Sequence, residues 1–62
     1  MDLPELNDAI SPEEQFEITK SAAEMGNVGS MINLANFYEQ GIGTPVDKEA
    51  AKNWRDRAGV GN

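Results

Sequence analysis

The chain has 62 residues, no cysteine, no histidine and a net charge of −6. A domain of this length buries only about 60% of the surface its unfolded chain exposes, and without cysteine no disulfide supplements so thin a core. Missing His and Cys also remove the commonest general base, the thiol nucleophile and the usual soft-metal ligands. No apolar run approaches the roughly 20 residues that a membrane span needs. The N-terminus, Met-Asp-Leu-Pro-Glu, lacks the basic start and apolar stretch of a signal peptide. A cytoplasmic protein with no membrane association is expected.

Residues 1–10 read as an arm or short helix. Leu3, Leu6 and Ile10 stand at helical spacing, and Pro4 fits a first turn. The first firm helix spans 11–26. Ser11-Pro12-Glu13-Glu14 forms a capping box, in which the Ser11 hydroxyl accepts from the Glu14 amide and the Glu14 carboxylate reaches back. Pro12 takes the first helical position, the acids favour the positive end of the helix dipole, and Gly26 stops the helix. A second helix spans 27–41, with Asn27 as its cap and Gly41 as its stop. Its apolar residues Met31, Ile32, Leu34, Ala35, Phe37 and Tyr38 surround more than one face, which places it between two others. Gly41-Ile42-Gly43-Thr44-Pro45 is a turn, and Asp47 caps a third helix over 47–59. That helix turns Ala50, Ala51, Trp54 and Ala58 inward, and the tail to Asn62 is expected to fray.

An internal echo runs through these elements. An offset of 36 places Ser11 on Asp47, Ile18 on Trp54 and Ala22 on Ala58. A period of that size with helix–turn–helix content marks a helical solenoid. The decisive residues are Ser30, then Leu34-Ala35-x-x-Tyr38-x-x-Gly41-x-Gly43-Thr44, then Asp47, then Ala51-x-x-Trp54-Arg55-x-x-Ala58-Gly59. This pattern resembles the Sel-one-like repeat, a relative of the tetratricopeptide repeat. That family's unit carries Leu-Gly-x-x-Tyr-x-x-Gly-x-Gly-Val, an Asp, and Ala-x-x-Trp-Tyr-x-x-Ala-Ala. The resemblance covers about residues 12–60, with 12–26 matching the second helix of a preceding repeat. It implies an all-α, three-helix, tetratricopeptide-like hairpin bundle in a single domain, and an adaptor that assembles protein complexes. Ala35 stands where the family has glycine, Arg55 where it has an aromatic and Gly59 where it has alanine. Gln15 stands where Ala51 stands one unit later, so both ends read as termini of a complete chain. About three repeats are usually needed for stability. A chain with one and a half is expected to use its N-terminal arm, a homodimer or docking on its target as the missing neighbour.

No enzyme is expected. Ser11, Ser21 and Ser30 have no activating partner, and three short helices leave little room for the pocket that would perturb a carboxylate pair. Gly41-x-Gly43 lacks the Gly-Lys-Ser/Thr of a phosphate loop and follows a helix. Neither Asp2, Glu5 and Asp8 nor Glu13, Glu14 and Glu17 has calcium-loop spacing. No cofactor or metal is therefore expected.

What remains is surface. Residues 1–46 carry eight acids and one base, Lys20, for −7, whereas residues 47–62 sum to +1. Direct nucleic-acid binding is disfavoured, because it needs clustered cations. The expected partner is a protein with a basic surface, such as a nucleic-acid-binding complex. Asp8, Glu13, Glu14, Glu17 and Glu24 are the acidic candidates, set against the simpler reading of a solubilising face. A small acidic chain without chemistry has the profile of phage-encoded anti-CRISPR and other anti-defence inhibitors that mimic DNA. That is an analogy of size and charge. The alternative is an adaptor or cap binding through an apolar groove at Met31, Ile32 and Phe37, of which Met31 and Phe37 are the candidate contact residues.

Overall fold

A computed structural model describes residues 10–60. The readings made of Leu3, Pro4, Leu6, Asp8 and the last two residues lie outside them. The described residues form three helices and no strand: α1 (Pro12–Glu24), α2 (Val28–Gln40) and α3 (Lys48–Ala58). α2 packs against both neighbours, and α1 and α3 do not pack on each other. The arrangement is a row of helices with α2 in the middle, as its many-sided apolar pattern requires.

Each helix begins at the cap expected of it. The side chains of Ser11, Asn27 and Asp47 accept from the amides of Glu14, Ser30 and Ala50 at 3.1, 2.9 and 3.0 Å. These bonds satisfy amides that the helix itself leaves unpaired. Of the capping box at Ser11, only this forward half is formed: the Glu14 carboxylate makes no hydrogen bond among the described residues. The exposed first turn leaves that carboxylate to water. Asp47→Ala is expected to cost about 1 kcal/mol, the usual value of an N-cap side chain. Urea unfolding followed by circular dichroism measures it, and an unchanged midpoint would show that α3 does not depend on its cap.

The helix ends are equally local. α1 stops at Glu24, short of the Gly26 expected to bound it, and Met25 is its cap. Gly26 at φ +99° then lets the Gly26 and Asn27 amides turn back to the carbonyls of Ala23 and Ala22. α3 closes in the same way, Gly59 and Val60 donating to Asp56 and Arg55. Both are Schellman closures, in which a left-handed residue lets the chain satisfy the last carbonyls. The two glycines stand 33 residues apart, whereas the caps Ser11 and Asp47 stand 36 apart. The internal echo thus holds at the helix starts and slips by the ends. Its faces differ as well: Ile18 is 56% exposed, whereas its counterpart Trp54 is half-buried.

The core is small. Phe16 and Ala23 from α1 meet Met31 and Leu34 from α2, with Phe37, Tyr38, Trp54 and Ala58 packed around them. Ala35 and Ala51 are buried as well, small side chains that let the helices approach closely. Phe16 meets Tyr38 edge-on, with ring centres 5.3 Å apart. Such a pair adds about 0.5–1.5 kcal/mol beyond its buried area. Met31 is only 7% exposed, which corrects its expected place on a binding surface. It points into the layer between α1 and α2, where its flexible side chain fills the space beside Leu34.

The turn from α2 to α3 ties the row together. Gly41 adopts φ +73° and ends α2, and the Asp47 amide folds back to the Tyr38 carbonyl at 2.8 Å. Gly43, at φ +71°, lies against the carbonyl of Pro12 and the Cβ of Phe16. The turn therefore rests on the first turn of α1, though it belongs to the other two helices.

Candidate functional site

α1 divides lengthwise into faces. With about 3.6 residues per turn, Phe16 and Ala23 point at α2, Glu13, Glu17, Lys20 and Glu24 line one flank, and Gln15 and Thr19 the other. Glu14, Ile18, Ser21 and Met25 point outward. Glu13, Glu14, Glu17 and Glu24 are all exposed, and none is in an ion pair among the described residues. The expected acidic face is therefore present on α1, apart from Asp8, which lies outside the described residues. Lys20 stands within the same stripe, its ammonium 6.0 Å from the centre of the Phe16 ring. It lowers the net charge of that flank without pairing with any one carboxylate.

The opposite flank borders a cleft of about 470 Å³ between α1 and α2, lined by Ile10, Gln15, Ile18, Thr19, Asn33 and Phe37. Phe37 is thus where a groove was expected, whereas Met31 and Ile32 are not in its lining. Sequence reasoning missed Ile18 as a groove residue because the 36-residue echo set it equivalent to the half-buried Trp54. The available signal was its spacing. Ile18 falls two residues from Phe16, which on a helix turns it away from the buried face.

Several charges on α2 and α3 are instead engaged in contacts within the fold. Arg55 donates to Asn36 Oδ1 at 3.0 Å and to the carboxylate of Glu39. Lys52 pairs with Asp56 at 3.4 Å, and the Arg57 guanidinium lies 4.3 Å from the centre of the Trp54 ring. Arg55 therefore joins α3 to α2 by polar contacts. Its hydrogen bond and positive charge hold the Glu39 carboxyl below its ordinary value of 4.5. A carboxyl lowered by folding contributes stability that is complete above its unfolded pKa and is lost as pH falls through the folded value. Stability should therefore decline as pH drops below about 4.5, and Glu39→Gln should flatten that decline. Denaturation midpoints collected across the acid range test this, and parallel curves for the two proteins would remove Glu39 from the account. Because the pair is partly exposed, its contribution is screened by salt.

Among the described residues no three acidic side chains converge as a cation site, and no helix is long and apolar enough to cross a membrane. Comparisons with family models, curated proteins and solved structures return no match. α1 thus carries an acidic flank on one side and borders an apolar cleft on the other.

Proposed function

We propose that the chain is a non-enzymatic protein-binding module that docks through α1 on a basic surface of a larger, nucleic-acid-binding complex. The observation that carries this reading is the contrast in charge pairing. Of the four cations of α3, Lys52, Arg55 and Arg57 are engaged within the fold and only Lys48 is not, whereas all four glutamates of α1 are exposed and without ion-pair partners among the described residues. Unengaged charge of one sign steers encounter with a surface of the opposite sign. In its most specific form the reading is an inhibitor of the anti-defence type, whose carboxylates lie where phosphates would. A second reading, an adaptor resembling the Sel-one-like repeat, is supported by the open cleft at Phe37.

The triple variant Glu13→Gln, Glu14→Gln, Glu17→Gln tests the first reading. Captured from native-host lysate, a nucleic-acid-binding partner should be held at low salt, lost at high salt, and not held by the variant. Circular dichroism must show the same helix content in both proteins, since Glu13 and Glu14 also contribute about 0.3–1 kcal/mol each at the helix N-terminus. Equal retention by a folded variant would sink the charge reading. Salt-tolerant retention that fails with Phe37→Ala would favour the adaptor.

A further inference from the structure

We infer that the α1–α2 cleft and Glu14 form one docking site for an amphipathic, basic helix of a partner protein. The inference rests on the protein-binding reading above and names the chemistry of the partner. Ile10, Ile18 and Phe37 supply the apolar part of the lining, and Gln15, Thr19 and Asn33 supply neutral polar groups. Among the described residues no charged side chain lines the cleft, so an apolar side chain entering it desolvates none of their charges. Ile18 is 56% and Ile10 47% exposed, a pair of branched side chains at the mouth of one groove. The groove is open on one side, which admits the ridge of a helix, whereas a small molecule needs a site that encloses most of its surface.

Charge decides the character of the helix. Glu14 stands one turn ahead of Ile18 on the same outward face of α1, and Glu13 and Glu17 adjoin it. A helix laid in the cleft by apolar residues at i, i+3, i+4 and i+7 brings its flanking residues toward Glu14. Lysine or arginine there pairs with the carboxylate, whereas an acidic or neutral flank leaves it desolvated without a partner. The same argument disfavours a second copy of this chain. Its α1 is acidic, and three of the four cations of its α3 already engage Glu39, Asp56 and Trp54, which leaves Lys48 alone to meet the glutamates of another copy.

The test titrates the isotope-labelled 62-residue chain with two synthetic leucine–lysine peptides of identical composition, followed by NMR. One peptide repeats its leucines at helical spacing, and the other scatters them around the helix. The patterned peptide should shift the signals of Glu14, Ile18, Thr19 and Phe37 and bind about tenfold more tightly, a difference of roughly 1.4 kcal/mol. Ile18→Asp, at an exposed position, should reduce its affinity to that of the scattered peptide. Equal affinities, with shifts confined to Glu13, Glu17 and Glu24, would overturn the cleft and leave the acidic-face reading standing. Binding of neither peptide would overturn both. Concentration-dependent broadening at Ile18 and Phe37 in the protein alone would assign the cleft to a second copy and overturn the proposal.

Discussion

Leu34→Ala is expected to leave the chain largely unfolded at 37 °C, a temperature at which such marginal domains have little reserve. Leu34 is wholly buried and is the largest side chain in that state among the described residues. It lies on the middle helix, in the cluster with Phe16, Ala23 and Met31. Its truncation removes about 2–5 kcal/mol of transfer and packing free energy, depending on how far the site collapses. A chain of this length has only about 3–9 kcal/mol in total, at the usual value per residue. Three short helices also leave few neighbours able to move into the cavity. Far-UV circular dichroism against temperature and urea gives the result directly. A loss below about 1 kcal/mol would mean that the layer between α1 and α2 is far looser than described.

Gly43→Ala is the second large effect. The left-handed backbone at φ +71° costs an alanine about 1–2 kcal/mol on its own. The new Cβ would also sit 2.7 Å from the Pro12 carbonyl carbon and 2.8 Å from the Phe16 Cβ. Backbone cannot yield as a flexible side chain does, so the turn must lift off α1. The combined loss should reach about 2–4 kcal/mol. Gly26→Ala separates the two contributions. Gly26 has φ +99°, but a Cβ there meets nothing within 4 Å, so only the backbone cost remains. Equal destabilisation by the two substitutions would show that the turn does not press on α1.

Local sequence determines the helix boundaries of this protein far more fully than its surfaces. Ser11, Asn27 and Asp47 were legible as caps because each bond runs three residues along the chain, and no distant contact decides it. Gly41 was legible as a stop for the same reason. The middle position of α2 followed from apolar residues on more than one of its faces. Which of them would be covered did not follow. Met31 and Phe37 both satisfy the helical period, and only the crossing of α1 over α2 buries one and leaves the other at the cleft. The exposure of Glu13, Glu14, Glu17 and Glu24 was legible, since burying unpaired carboxylates is costly. The engagement of Arg55 with Asn36 and Glu39 was not, because it joins residues 16 and 19 positions apart across two helices. Ile18 was misplaced by an echo that holds for the caps and fails for the faces.

Because α1 and α3 each lean on α2 and not on each other, the molecule has two separable seams. Backbone amides of α2 are shielded from solvent exchange by both, whereas either outer helix can open while the other stays closed. The exception is the Gly43 turn, which spans from the α3 side onto Pro12. Peeling α1 away must break that contact, whereas fraying the far end of α3 leaves it intact. A partner seated on α1 would therefore clamp the seam that carries the turn, and its binding would slow exchange in α2 before it reached the end of α3.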